Sequence, residues 1–307
     1  MMTGRSIPTE SFDARFAELD AWPPETVLDA LFESQLAAVA AVRPALPAIA
    51  AAACAAAGRL GAAGRLVYIG AGTSGRIAAQ DGAELFPTFG WPAERTLLLP
   101  AGGPGALLRA VESAEDDSAA AGAAVQRSKI DRSDVAIGVA ASGRTPYTLA
   151  LLDAAGRAGA LTIGIANNPS TPLLAAAQHP ILADTGPEAI AGSTRLKAGT
   201  AQKVILNLFS TMLMILLNRV YRGRMVDLEI TSAKLRRRAL RIIGELSGVG
   251  EAKADALLVA AGGSVKRALL LARELDPAAA ERLLARYGGN LRAALAELGV
   301  PPGPDRP

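Results

Sequence analysis

Two short stretches of this chain pair hydroxyl side chains with glycine in a pattern suited to an anionic ligand. Gly70-Ala71-Gly72-Thr73-Ser74-Gly75-Arg76 ends one apolar run, and Ala140-Ala141-Ser142-Gly143-Arg144-Thr145-Pro146 ends another. Glycine lets a backbone turn tightly and approach a ligand closely. Ser and Thr add hydroxyl donors, and a helix starting after such a loop aims free N–H groups and its positive dipole end at the same point. Pro146 is preset for the first turn of that helix. A single loop of this kind is also what a plain strand-to-helix turn looks like. Two of them, on separate strands, predict a shared crevice in which Ser74, Ser142 and Thr145 hold a phosphate, helped by the backbone N–H groups of Gly75 and Gly143. Arg144 either adds charge there or packs outward. The Gly70, Gly72, Gly75 spacing fits the dinucleotide fingerprint literally, but no convincing acidic residue follows about 20 positions on. A nucleotide P-loop is excluded, because no Gly-Lys-Ser/Thr follows.

The elements that must carry these loops are legible in outline. Short apolar runs occur at Arg65 to Ile69, Arg95 to Leu99, Val135 to Val139, Leu161 to Ile165 and Pro180 to Ala183, separated by helix-compatible segments such as Thr145 to Arg157. This alternation predicts an α/β fold with a parallel sheet covered on both faces. Ligands of such sheets bind beyond the carboxyl ends of the strands. Before the sheet, Pro24 to Leu60 reads as helices punctuated by Pro44 and Pro47. After about Leu246 the strand-like runs stop and a repeat appears, with Gly262-Gly263-Ser264 recurring as Gly288-Gly289-Asn290 at an offset of 26. Each unit reads as helix, Gly-Gly stop, Ser/Asn cap, helix. The expected organisation is an N-terminal helical segment over residues 1–60, a phosphate-binding domain over 61–245 and a small helical domain over 246–300, with a frayed tail from Pro301 to Pro307.

Bulk properties narrow the partners. The formal charge is +3, too weak for nucleic acid, which calls for a clustered basic stripe. The densest basic run, Lys234 to Arg238, reads as a solvated helix face. The one cysteine, Cys54, forms no internal disulfide and suits a reducing compartment, hence the cytoplasm. With His179 as the one histidine and no cysteine cluster, no zinc site is expected. Met1 to Asp20 has no apolar signal core. Val204 to Tyr221 is apolar but carries Asn207, Ser210, Thr211 and Asn218, which makes it a buried core helix rather than a membrane span.

The two serine loops resemble those of the sugar isomerase (SIS) fold, which binds phosphosugars. Within that fold the chain resembles the N-acetylmuramic acid 6-phosphate etherase family from about residue 9 to 300. The matching stretches are Leu66 to Arg76, Ala110 to Asp116, Ala141 to Tyr147 and, most distinctively, Gly192-Ser193-Thr194-Arg195-Leu196-Lys197-Ala198-Gly199-Thr200-Ala201-Gln202-Lys203. The resemblance implies a three-layer SIS sandwich with a small all-helical, UBA-like C-terminal domain. It implies cleavage of a sugar phosphate's lactyl ether to N-acetylglucosamine 6-phosphate and D-lactate, without metal or cofactor, by a homodimer.

The chemistry explains why carboxylates are needed. With the sugar ring open, C1 is an aldehyde and the C2 proton becomes acidic. A base removes that proton, lactate leaves from C3 with help from an acid, and water adds back. Two carboxyl groups with separated pKa values suit this route. The resemblance implies Glu84, in Asp81-Gly82-Ala83-Glu84 just after the helix of the first loop, as the acid and Glu115 as the base. The family's Glu-x-x-Glu-Asp spacing selects Glu115 over Glu112. Glu188 and Ser193 match positions near the substrate, and Lys197 is favoured over Lys203, which lies six residues on and so points elsewhere from a helix. The chain departs from the family pattern at Asp13 and Phe16, where Asn and Ser are usual, and at Leu85-Phe86, where Cys-Pro is usual. Two other readings stay open: an aldose–ketose isomerase of the same fold using Glu188, and a non-catalytic phosphosugar sensor.

Overall fold

The computed structural model describes residues 7–300, so the tail expected to fray lies outside the described residues. The described residues divide into two compact units, one of residues 7–83 together with Glu94–Leu213, the other of Glu84–Ala93 together with residues 214–300.

The first unit opens with α1 (Pro24–Ala40) and α2 (Leu46–Leu60), parted by a 3-10 turn at Arg43–Ala45. Pro44 lies in that turn and Pro47 opens α2, where a missing N–H costs nothing. Then follow β1 (Leu66–Gly70), α3 (Gly72–Phe89), β2 (Thr96–Pro100), α4 (Ser118–Ser128), β3 (Val135–Val139), α5 (Pro146–Arg157), β4 (Leu161–Ala166), α6 (Pro172–Ala176), β5 (His179–Leu182) and α7 (Lys197–Leu216). All five predicted strands form, in the order β2-β1-β3-β4-β5, and every pairing is parallel. Each residue of β1, β3 and β4 is buried, as a sheet covered on both faces requires. Val67 and Ile69 face a cluster with Leu151, Leu152 and Ala155 of α5 and Ala121 and Ala124 of α4. Tyr68 faces the other way, against α3, where Gly82 has no room for a side chain beside the Tyr68 and Leu98 side chains. These are the three layers. The chain moves from β1 outward to β2, then returns past β1 to β3, so the direction of winding reverses between β1 and β3. That switch point is where a doubly wound sheet opens a crevice, and both hydroxyl loops end there, with Gly70 and Val139 level in register.

In the second unit, α7 does not continue to Tyr221 as its apolar run suggests. Asn218 takes a left-handed φ of 62° and ends it. A hairpin of β6 (Val220–Tyr221) and β7 (Arg224–Met225) follows, turning through Arg222 and Gly223, both at positive φ. Next come α8 (Ala233–Ser247), α9 (Glu251–Ala260), α10 (Val265–Leu271), α11 (Pro277–Arg286) and α12 (Leu291–Glu297). Both Gly-Gly pairs stand at positive φ, and Ser264 and Asn290 accept the N–H groups of Arg267 and Ala293 as N-caps. The loss of strand-like runs after Leu246 marks the end of α8. The unit reaches further back, because Ala239, Ile242 and Ile243 of α8 and Tyr221 and Val226 of the hairpin share one core with Leu258, Leu269 and Leu283.

Candidate active site

The first loop is held shut by backbone contact. A Cβ on Gly70 would stand 2.9 Å from the Gly75 Cα, and one on Gly75 would stand 2.7 Å from the Gly70 carbonyl oxygen. The strand end and the first turn of α3 therefore touch, which leaves Ser74 nearly buried at 9% exposure with Thr73 beside it. In the second loop Gly143 adopts φ +61°, and a Cβ there would lie 2.4 Å from the Thr171 hydroxyl oxygen. The Ser142 hydroxyl accepts the Arg144 N–H at 3.1 Å. Thr145 is the N-cap of α5 but makes no side-chain cap bond. Its hydroxyl and the first N–H groups of α5 are thus free for an anion.

The loops border one crevice of about 390 Å³ that also takes in Glu115, Asp116, Thr194 and Glu10, a volume within the usual range for small-molecule sites. Glu115 reaches it from the β2–β3 connection, on a 3-10 turn at Ala114–Asp116 whose preceding residue, Ser113, is left-handed at φ 58°. This reversal separates the two glutamates that sequence spacing leaves close. Glu115 lines the crevice, and Glu112 lines a different cavity of about 680 Å³ along β2, with Val111 and Tyr147. Thr194 belongs to the turn before α7, its carbonyl accepting the Gly199 N–H at 2.9 Å. Arg144 is exposed at the crevice edge.

Four expected residues sit elsewhere. Glu84 lies within α3 rather than after it, because the helix runs on through Pro87 to Phe89 and stops at Gly90, whose φ is 60°. It is exposed and belongs to the second unit, whereas Ser74 belongs to the first. Glu188, 1% exposed, spends both carboxylate oxygens on the backbone of α7, accepting the N–H groups of Lys197 at 2.8 Å and Ala198 at 2.9 Å. Lys197 is buried, and burial lowers its amine pKa against the opposing pull of Glu188. Ser193 closes a turn, donating its N–H to the Ile190 carbonyl at 2.9 Å. None of the four lines the crevice, and neither do Gly75 and Gly143, whose N–H groups, expected to face the phosphate, are donated to the Ala71 and Ala140 carbonyls at 3.0 Å each.

Comparison with known proteins agrees with the fold. A model of the glucokinase regulatory protein N-terminal SIS domain matches residues 49–156, and a SIS domain model matches residues 116–216. A solved structure of a protein from the CFT073 strain of E. coli superposes with a TM-score of 0.50 at 18% identity over 65% of this chain and 94% of that one. An N-acetylmuramic acid 6-phosphate etherase from Deinococcus radiodurans is 49% identical over 94% of this chain and 95% of its own length. The chain belongs to the N-acetylmuramic acid 6-phosphate etherase family. The etherase of Streptomyces coelicolor is 43% identical over 95% of this chain and 94% of its own. The etherase family match spans both units, so the helical second unit is part of the etherase chain and not an unrelated appendage.

Against this etherase background, sequence reasoning missed Thr73, Asp116, Thr194 and Glu10 as crevice residues. Thr73, Asp116 and Thr194 each adjoin a residue chosen for the site and lie inside the motifs that carry it.

Proposed function

We propose that this chain cleaves the D-lactyl ether of N-acetylmuramic acid 6-phosphate to N-acetylglucosamine 6-phosphate and D-lactate. The observation that carries the reading is the single crevice shared by Ser74, Ser142, Thr145 and Glu115, in a chain 49% identical to a named etherase. Three hydroxyls and two helix starts hold the phosphate, and Arg144 adds charge at the edge. Gly75 and Gly143 shape the two loops, their own N–H groups being donated to the Ala71 and Ala140 carbonyls. Glu115 removes the C2 proton of the open-chain sugar. The C3–O bond then breaks, its electron pair leaving on the lactate oxygen, which takes a proton from an acid. Water adds to C3 and C2 is reprotonated, so the net change is hydrolysis. Glu84 is assigned as the acid from its place in the family's Asp-Gly-Ala-Glu segment alone, Ser193 and Lys197 keep a substrate-contacting role on the same ground, and Glu188 serves the site by holding the start of α7.

The same reading makes the enzyme a cytoplasmic homodimer without metal, cofactor, nucleic acid or membrane partner. The lone cysteine supports the compartment. Leu28, Phe32, Leu36 and Val39 support the dimer, since they are 67%, 63%, 54% and 47% exposed and their spacing makes one apolar stripe along α1.

The test is D-lactate release from N-acetylmuramic acid 6-phosphate in D2O. The wild type should release lactate and leave deuterium at C2 of the product. Glu115→Gln and Glu84→Gln should each lose about 100-fold or more in rate, the scale of acid–base catalysis. A folded wild type that yields a ketose phosphate and no lactate would overturn the proposal in favour of isomerisation.

A further inference from the structure

The crevice has an excess of donors. Thr73, Ser74, Ser142, Thr145 and Thr194 bring hydroxyls, and Arg144 brings a guanidinium. A phosphate needs nothing else, because it only accepts. A sugar chain is different: its hydroxyl and amide groups donate, and they need acceptors. The crevice carboxylates are Glu115 and Asp116, which arrive together on one turn, and Glu10, which arrives on a separate segment.

That segment is latched. Thr9 is fully buried. Its N–H donates to the Asn168 side-chain oxygen at 3.1 Å, and its hydroxyl accepts from the Asn168 amide nitrogen at 2.8 Å. The same amide nitrogen donates to the Ala141 carbonyl at 2.8 Å, one residue before Ser142. One buried Asn thus sets the position of Glu10 relative to the second phosphate loop. The Glu10 side chain is exposed and its Oε2 lies in the space beside Gly192, where a Cβ would stand 2.9 Å away, next to the turn that supplies Thr194.

We infer that Glu10 is a specificity-determining residue, whose carboxylate accepts hydrogen bonds from the hydroxyl or amide groups of the sugar anchored by its phosphate in this crevice. The inference takes the phosphosugar crevice from the proposed function, but not the ether-cleaving step. Glu10 carries a negative charge into a site that binds an anion, so removing it has opposite effects on the two ends of the ligand. The sugar loses an acceptor; the phosphate loses a like charge.

Binding is measured by calorimetry for inorganic phosphate, N-acetylglucosamine 6-phosphate, glucosamine 6-phosphate and fructose 6-phosphate, with wild type, Glu10→Gln and Glu10→Ala. For whichever sugar phosphate the wild type binds most tightly, both variants should bind at least about tenfold more weakly, the scale of a charged hydrogen bond. Inorganic phosphate should bind equally well or more tightly. Thr9→Val, which removes the hydroxyl half of the latch, should shift sugar-phosphate affinity in the same direction with phosphate binding retained. Equal weakening for sugar phosphate and phosphate would reduce Glu10 to a structural part of the loop and overturn the inference, as would no weakening at all. A wild type that prefers fructose 6-phosphate would sink the etherase reading yet leave the Glu10 comparison intact. Binding of none of the three sugar phosphates would overturn both.

Discussion

Glu188 caps α7 through Lys197: its Oε2 accepts the Lys197 backbone N–H at 2.8 Å while Oε1 accepts that of Ala198 at 2.9 Å. Two residues of the chain's most distinctive neighbourhood are therefore tied together at a helix start. The negative charge also faces the positive end of a 20-residue helix. Glu188→Ala leaves two buried N–H groups unpaired and should lower stability by about 2–4 kcal/mol. Glu188→Gln keeps one acceptor oxygen and should cost about half as much. Urea unfolding followed by circular dichroism measures both.

Asp81 gives stability a pH dependence. Its carboxylate is 4% exposed and accepts the Tyr68 hydroxyl at 3.0 Å and the Ser210 hydroxyl at 3.1 Å. Burial nevertheless wins and pushes its pKa from 3.8 to about 6. The folded carboxyl thus holds a proton that the unfolded chain has already lost across that interval. Its stabilising effect is complete below the unfolded pKa and falls away as pH rises through the folded one. At pH 8 the folded protein bears the full cost of ionising Asp81, about 3 kcal/mol. Asp81→Asn should therefore raise the melting temperature at pH 8, and its advantage over the wild type should vanish near pH 4. Thermal melts of both proteins from pH 4 to 8 decide this; parallel curves would contradict it.

Gly143 and Gly72 separate two costs of a side chain in a phosphate loop. Both have positive φ, but only at Gly143 does a Cβ collide, at 2.4 Å from the Thr171 hydroxyl oxygen; at Gly72 it meets nothing within 4 Å. Gly72→Ala should cost only the left-handed strain, about 1–2 kcal/mol, with activity largely kept. Gly143→Ala has to displace the backbone between Ser142 and Thr145, and kcat/KM should fall about 100-fold. Steady-state kinetics beside a thermal melt compares the pair.

Much of this protein is written locally. The five strands come from short apolar runs, because residues buried on both faces of a parallel sheet have to be apolar in succession. The two phosphate loops come from glycine and hydroxyl spacing, because positive φ and close backbone approach leave few other residues possible. The Gly-Gly stops and Ser264 and Asn290 caps of the C-terminal repeat follow for the same reason: their bonds span only a few residues.

What tertiary structure alone decided involves distance along the chain. The family spacing picks Glu115 over Glu112 without a physical reason; the left-handed turn at Ser113 supplies one by sending them into different cavities. It offers Glu188 as a substrate contact, and the fold occupies both its oxygens at the start of α7. It continues α7 toward Tyr221 on hydropathy, whereas Asn218 turns the chain into a hairpin. It contains Thr9-Glu10 without a reason for either, since Thr9 meets its partner Asn168 across 159 residues. Local windows hold propensity and pattern. Which polar group finds which partner depends on where packing brings distant segments together, and only the folded chain sets that.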